Sequence, residues 1–337
     1  MAQDNNLIQY IRAFTEEDVS AVNRITDGSI NETFEVNTLS GGRFILQKMS
    51  TLFKPSVMDN LALVTPYVQE KGVLIPHGLK TLSGESYKVN GDGSWYRALS
   101  YIEGNTIHDS MTIAQVRSAG RLVGSFHSAL ASCDGELAVA IHHYHETPYY
   151  FERMNKTAAT CTDGVKQETL SPIVEAINAL KDSLIVDVRT LPQRIIHADL
   201  KASNIRFSED GEALALIDMD TMMRGSVVTE MGDAFRSWCG TSGEDSTSQV
   251  FDDEVFRAGL AGYIETAEGI TKEEIDAIPE GIRILTLELA SRFVTDAYEE
   301  SYFAQSSKYA SLYEQNKTKA ENQLLFLKAF EEKRGFL

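Results

Sequence analysis

One run constrains this chain more than any other: Arg194-Ile195-Ile196-His197-Ala198-Asp199-Leu200-Lys201-Ala202-Ser203-Asn204-Ile205-Arg206-Phe207. It reads as an apolar strand, a polar loop and a second apolar strand, and Gly211 marks a turn before a third candidate strand over 213–217. A hairpin would bring Asp199, Asn204 and Asp218 together at strand ends and loops. A single aspartate in a loop is most simply a turn former or a cap, but two carboxylates and an amide converging suit phosphoryl transfer from Mg-ATP. Asp199 would orient the attacking hydroxyl and take its proton, while Asn204 and Asp218 hold Mg2+, a hard cation that prefers oxygen ligands.

The spacing His-x-Asp-x-x-x-x-Asn, followed by an aspartate at the end of an apolar strand, is that of a kinase catalytic loop. Asp218-Met219-Asp220 stands where a protein kinase carries Asp-Phe-Gly. Composition agrees. The 337 residues allow one large or two ordinary domains, and the net charge of -18 argues against nucleic acid or an anionic membrane as a main partner. The polar opening Met1-Ala2-Gln3-Asp4-Asn5-Asn6 lacks the basic start of a signal peptide, and no apolar run approaches the roughly 20 residues that span a bilayer. Cys133, Cys161 and Cys239, odd in number and without a CxxC pair, suit reduced thiols of a cytoplasmic protein.

In the N-terminal region, Thr15-Glu16-Glu17-Asp18 predicts a helix start running to about Arg24. Residues 25–36 alternate around a glycine turn and predict strand-turn-strand, the place where a kinase covers nucleotide phosphates; Gly28, Ser29 and Asn31 are its candidate contacts. Arg43 to Met49 is the next strand. Alternation puts Ile45 and Gln47 on one face and Phe44, Leu46 and Lys48 on the other, so Gln47 takes the position of the usual phosphate-binding lysine. A helix capped by Ser56 and ended by Gly72 follows, then short strands at Ile75-Pro76, Ser86–Val89 and Trp95–Tyr101. Backbone around Leu99 to Tyr101 would meet the adenine edge, and Gly104-Asn105 would leave the hinge.

In the C-terminal region, Thr112 to Gln115 and Thr271 to Glu274 are capping boxes. His127 lies near an apolar stripe and suits a hydrogen-bonded core position. The cluster 144–151 with His142, His143 and His145 has no metal-site spacing, and its aromatics suit the wall of a pocket for a polar ring-shaped substrate. Ser171-Pro172 predicts a helix start with proline at its first position, and Gly232-Asp233 another with Asp233 as N-cap. In kinases an aspartate here also braces the catalytic loop. Thr241 to Gln249 reads as a surface loop; long helices are predicted over 279–298 and 308–333, with Arg292 and Asp296 spaced for an i,i+4 ion pair.

Taken together, the chain resembles the aminoglycoside phosphotransferase and choline kinase superfamily of small-molecule kinases, and within it the N-acetylhexosamine 1-kinase group. The resemblance rests on the catalytic loop, on Ile217-Asp218-Met219-Asp220-Thr221-Met222-Met223, on Gly232-Asp233-Ala234-Phe235-Arg236, on Gly28-Ser29-Ile30-Asn31-Glu32-Thr33, on Phe44-Ile45-Leu46-Gln47-Lys48, on His145-Glu146-Thr147-Pro148 and on Arg292-Phe293-Val294-Thr295-Asp296. The last two belong to the narrower group. Ser29 replaces its histidine, and Arg224 and Glu230 depart from its pattern.

The resemblance implies an α+β, bilobal protein-kinase-like fold. A small antiparallel-sheet lobe over 1–102 would bind nucleotide, and a mainly helical lobe over 103–337 would carry catalysis and substrate. It implies ATP and Mg2+ as cofactors and an N-acetylhexosamine phosphorylated at its anomeric hydroxyl. His145, Arg292 and Tyr302 would contact the sugar, His197, Asp220 and Asp233 would give structural support, and the protein would be a monomer or homodimer. The alternatives are a kinase of the same fold acting on choline, homoserine, methylthioribose or an aminoglycoside, and a catalytically silent nucleotide- or sugar-binding regulator.

Overall fold

The computed structural model describes residues 2–26, 30–108, 110–240 and 249–335. Gly28, Ser29 and most of the loop expected over 241–249 lie outside them. Helix α1 (Ala2–Ile11) leads into strands β1 (Val19–Ile25), β2 (Glu32–Thr38) and β3 (Arg43–Lys48). After α2 (Val57–Glu70) come β4 (Gly78–Leu79), β5 (Lys88–Val89) and β6 (Trp95–Ser100). These strands form one antiparallel sheet in the order β1-β2-β3-β6-β4, with β5 also on β6.

The period-2 alternation read in β3 holds. Phe44 and Leu46 join Tyr10, Ile11, Val36, Tyr96 and Ala98 in a core between α1 and the sheet, while Ile45 and Gln47 face the other way. Tyr10 stacks on Tyr96 with ring centroids 3.7 Å apart, which anchors α1, a helix that its polar sequence does not announce. The helix expected from Thr15 is instead a bend followed by β1. The Arg12 guanidinium holds the Glu16 and Glu17 carbonyls and the Asp18 carboxylate, and β-branched Val19, Val22 and Ile25 fall on the strand.

The helical part comprises β7 (Asn105–Thr106), α3 (Ile113–Ala129), α4 (Thr147–Thr160), α5 (Gly164–Lys181), β8 (Arg194–Ile196), β9 (Ile205–Phe207), β10 (Ala213–Leu216), β11 (Met223–Gly225), α6 (Val227–Trp238), α7 (Asp253–Thr266), α8 (Lys272–Glu299) and α9 (Leu312–Arg334). Two small sheets, β10-β9-β7 and β11-β8, carry the loops of the site. The chain is thus α+β, an antiparallel sheet region followed by a helical one.

Both capping boxes form, at Thr112 with Gln115 and at Thr271 with Glu274. Other helix starts differ from the sequence expectation. Ser56 makes no side-chain cap, and the short strand expected at Ile75-Pro76 forms at Gly78–Leu79. Pro172 lies inside α5, whose cap is Asp163, because burial of Leu170, Ile173, Val174 and Ile177 outweighs the missing N–H. Pro279 likewise lies inside α8, which starts at Lys272, and α9 starts at Leu312 behind Ser311. Asp233 is not an N-cap but sits within α6, capped by Ser226 through the Thr229 N–H. Gly232 explains why the segment reads as a helix start. It is the point where α6 crosses α8: a Cβ there would lie 2.5 Å from Gly281 carbonyl carbon, and one on Gly281 would lie 2.1 Å from the Val228 oxygen. Among the described residues, no helix is long and apolar enough to cross a membrane.

Candidate active site

The loop between β8 and β9 is fixed mainly through its backbone. Glu230, fully buried on α6, accepts the His197 N–H at 2.8 Å and the Ala198 N–H at 2.7 Å. His127 supports Glu230 from behind at 3.2 Å and bonds the Tyr263 hydroxyl at 2.9 Å, the core position expected of it. Ala198 is held at φ 66°, a left-handed conformation whose cost these bonds offset. His197 Nδ1 accepts the Asp199 N–H, so its Nε2 carries the proton and donates to the Ile217 carbonyl at 2.8 Å. Thr221 bonds the His197 carbonyl and the Trp238 indole bonds that of Leu200. His197 thereby ties the loop to the end of β10, where Asp218 takes φ 62°.

Asp199, Asn204 and Asp218 converge on one cleft of about 230 Å3. Asp199 Oδ2 accepts from Lys201 at 2.9 Å and from Asn204 Nδ2 at 3.0 Å. Burial works to raise the Asp199 carboxyl, but Lys201, His197 and Asn204 together hold it below the usual carboxylate range. Asp218 moves the other way: burial and then the charges of Asp220 and Asp199 push it up to about 6, against Lys201 and His197. A buried carboxyl pushed up by its neighbours, beside an amide whose nitrogen is committed to Asp199 and whose oxygen is left as acceptor, fits a hard divalent cation. Lys201, half-exposed between the two acids, is a cation the sequence reading passed over.

The opposite wall comes from the sheet. Gln47 lines the cleft as its alternation requires, whereas Lys48 points away to Glu32 at 3.0 Å. The buried cation is Arg97, directly across the ladder from Gln47 on β6. Its guanidinium pairs with both oxygens of Asp220, at 2.5 and 2.8 Å, and its Nε donates to Gln47 Oε1 at 2.9 Å. Both partners are nearly inaccessible, at 2% and 3%. Asn31 donates to Asp220 at 3.1 Å and accepts the Ser50 N–H, so the turn, the sheet and the Asp218-Met219-Asp220 segment meet in one network. A lone charge within the apolar run Trp95 to Leu99 was the available signal for Arg97. Leu99 and Tyr101 line the far end of the cleft, with Arg43 3.7 Å above the Tyr101 ring. Asp233 bonds Arg236; the hydrogen bonds that brace the loop backbone come from Glu230, one of the noted departures.

His145, Arg292 and Tyr302 are also brought together. Arg292 bonds the Tyr302 hydroxyl at 3.2 Å, lies 3.9 Å from Glu288, and sits over the rings of Tyr144, Tyr150, Tyr302 and Phe303. It does not form the i,i+4 pair with Asp296. That carboxylate instead accepts the N–H groups of Ser301, Tyr302 and Phe303, and so sets where Tyr302 stands. Burial and the Asp199 charge push the Tyr144 hydroxyl well above its ordinary value, and the bond from neighbouring His145 to the Ala198 carbonyl sets this wall beside the loop.

His145 bonds Glu288 through Nδ1 at 3.1 Å and the Ala198 carbonyl through Nε2 at 2.9 Å. Both partners are acceptors, so both ring nitrogens carry protons. Burial opposes that charge, but Glu288 prevails and raises the His145 pKa. A raised folded-state pKa gives stability that is complete below the unfolded value, about 6.5, and lost as pH rises through the folded value. The urea midpoint of the wild type should therefore fall over that window. His145→Gln should be less stable but flatter as pH rises above about 6.5; an unchanged slope would show that His145 does not titrate with folding.

Comparison with known proteins agrees with this fold. The homoserine kinase of Caulobacter sp. (strain K31) is 24% identical over 290 residues, covering 86% of this chain and 84% of that protein. A microcompartment-associated aminopropanol kinase superposes with a TM-score of 0.66 at 15% identity, covering 99% of both chains. An amicoumacin kinase solved with AMP-PNP, Ca2+ and Ami gives a TM-score of 0.65 at 13% identity over 95% and 93% of the two chains. The model of the phosphotransferase enzyme family matches residues 21–269, spanning the sheet, the catalytic loop and α6, and the chain belongs to that family.

Proposed function

We propose that this small-molecule kinase transfers the γ-phosphoryl group of ATP to the anomeric hydroxyl of an N-acetylhexosamine. The observation that carries the acceptor class is the state of the carboxylates on the acceptor wall. Glu288 is taken by His145 and Thr147, Asp233 by Arg236 and Asp296 by backbone N–H groups, which leaves Arg292 and tyrosine hydroxyls as the groups on offer. A choline or aminoglycoside cation would meet a guanidinium where it needs an anion. A neutral sugar finds donors for its hydroxyls and acetamide carbonyl beside flat aromatic walls. The motifs around His145 and Arg292 support the same reading.

In this reading the division near residue 102 separates a nucleotide half from a catalytic and acceptor half. Asp199 accepts the proton of the sugar hydroxyl as its oxygen bonds to the γ-phosphorus. The bond from that phosphorus to the bridging oxygen breaks, and ADP leaves with the electron pair. Lys201 lies beside Asp199 to meet the charge on the transferring group. A divalent metal, Mg2+ by preference, would supply charge neutralisation at the phosphates, held by Asn204 Oδ1 and Asp218.

Homoserine is the second reading. The Caulobacter relative, a homoserine kinase, favours it, and Arg292 would suit a carboxylate, although no unpaired acid among the residues named above meets the ammonium group. Phosphorus NMR of products from N-acetylhexosamines and from homoserine, each with Mg-ATP, decides between them. A sugar 1-phosphate is expected; a 6-phosphate, or transfer to homoserine alone, removes the proposal. Arg292→Ala should raise the KM of the acceptor roughly tenfold or more, as loss of a charged donor does, with little change in the KM for ATP.

A further inference from the structure

We infer that His145 is a positioning residue, one that sets Asp199 against the acceptor wall without touching the acceptor itself. The inference rests on the kinase reading above, but on neither choice of acceptor. The peptide group between Ala198 and Asp199 aims the proposed base. Its carbonyl accepts from His145 Nε2 at 2.9 Å, and its N–H donates to His197 within the loop at 3.3 Å. Glu230 fixes the two peptide groups before it, through the His197 and Ala198 N–H groups. With Ala198 at φ 66°, the chain turns sharply between the part that Glu230 holds and the part that His145 holds. His145 is itself aimed at a cost. It takes φ 55°, two residues after His143 at φ 60°, and the ring of His143 braces the turn by stacking on Tyr149 at 3.9 Å. Such strain persists where the surrounding contacts over-determine it.

Two observations separate this role from contact with the acceptor. Both ring nitrogens are spent on protein acceptors, and the side chain is 5% exposed. The residue also lines a second cavity, of about 770 Å3, and not the cleft of Asp199. Glu288 supplies the other half of the coupling. It is bonded by His145 at 3.1 Å and by Thr147 at 2.6 Å. With that charge answered, Arg292 stays 3.9 Å from Glu288 and bonds the Tyr302 hydroxyl instead. One imidazole thus sets both the loop and the guanidinium.

Steady-state kinetics of the wild type, His145→Gln and His145→Met with Mg-ATP and N-acetylglucosamine test this. Homoserine takes the place of the sugar should the wild type use only that acceptor. The two substituted side chains have nearly the same length, and only glutamine keeps an N–H that can donate to the Ala198 carbonyl. His145→Met should lower kcat roughly tenfold or more, as a small misplacement of a reacting group does, and His145→Gln should recover most of that loss. Both changes leave Glu288 without its cation and draw Arg292 to it, so the acceptor KM should rise roughly three- to tenfold in both. The KM for ATP should not change. Equal kcat in the two variants would show that His145 only fills space, and would overturn the inference. An acceptor KM unchanged in both would overturn it too. A wild type that transfers phosphate to neither acceptor would overturn the proposed function and this inference with it. Where the methionine variant fails to fold, His145→Asn, whose shorter amide reaches Glu288 but not Ala198, carries the same comparison.

Discussion

Asp199→Asn should lower kcat by roughly 10²- to 10⁴-fold, the range lost with a general base, while Mg-ATP affinity stays within a few-fold of wild type. The substitution is nearly isosteric. Asparagine can still present an oxygen to Lys201 and Asn204, and the bonds from Glu230 to the loop backbone do not involve the side chain at all. What disappears is a carboxylate held below its ordinary pKa and so ionised at neutral pH. Single-turnover phosphate transfer, compared with equilibrium nucleotide binding, separates the two quantities. Turnover near the wild-type rate would remove Asp199 from its role as base.

Arg97→Ala should be the most destabilising single change at the site. Arg97 and Asp220 form a buried pair with two hydrogen bonds, and removing one partner of such a pair costs about 3–5 kcal/mol. The orphaned Asp220 would stand beside Asp218, whose carboxyl it already pushes upward. A fall in Tm of roughly 4–7 °C follows for a chain of this size. Removing Asp220 as well should recover part of the loss, because the uncompensated charge goes too. A double-mutant cycle by urea unfolding checks this. Arg97→Ala within about 1 kcal/mol of wild type would show that the pair contributes no more than a surface one.

The meeting of the candidate residues was legible because they are adjacent in sequence and carry rare spacing: Asp199, Asn204 and Asp218 need only a hairpin to line one cleft. Gln47 was legible by alternation. Arg97 and Glu230 were not, since each acts on a loop more than 30 residues away, and a charge within an apolar segment announces burial without naming its partner. The helix starts at Pro172, Asp233 and Pro279 were misplaced for a related reason. Proline and glycine weaken a helix locally, but α5, α6 and α8 bury enough side chains to continue through them. Arg292 and Tyr302 were placed together by motif, whereas the true partners of Asp296 follow from the turn after α8, which side-chain spacing does not encode.

The crossing at Gly232 and Gly281 has a consequence for how this scaffold tolerates change. Helix α6 supplies the Glu230 support of the candidate catalytic loop, and α8 supplies Glu288 and Arg292 to the proposed acceptor wall. With the two backbones in contact, the distance between them depends on no side chain that a change of acceptor would require altering. Substrate preference can then be rewritten at the outward positions of α8 and in the aromatic turn before α4 without re-aiming Asp199. The same economy makes the two glycines unforgiving: a methyl group at either would pry apart the chemistry and the recognition in one step.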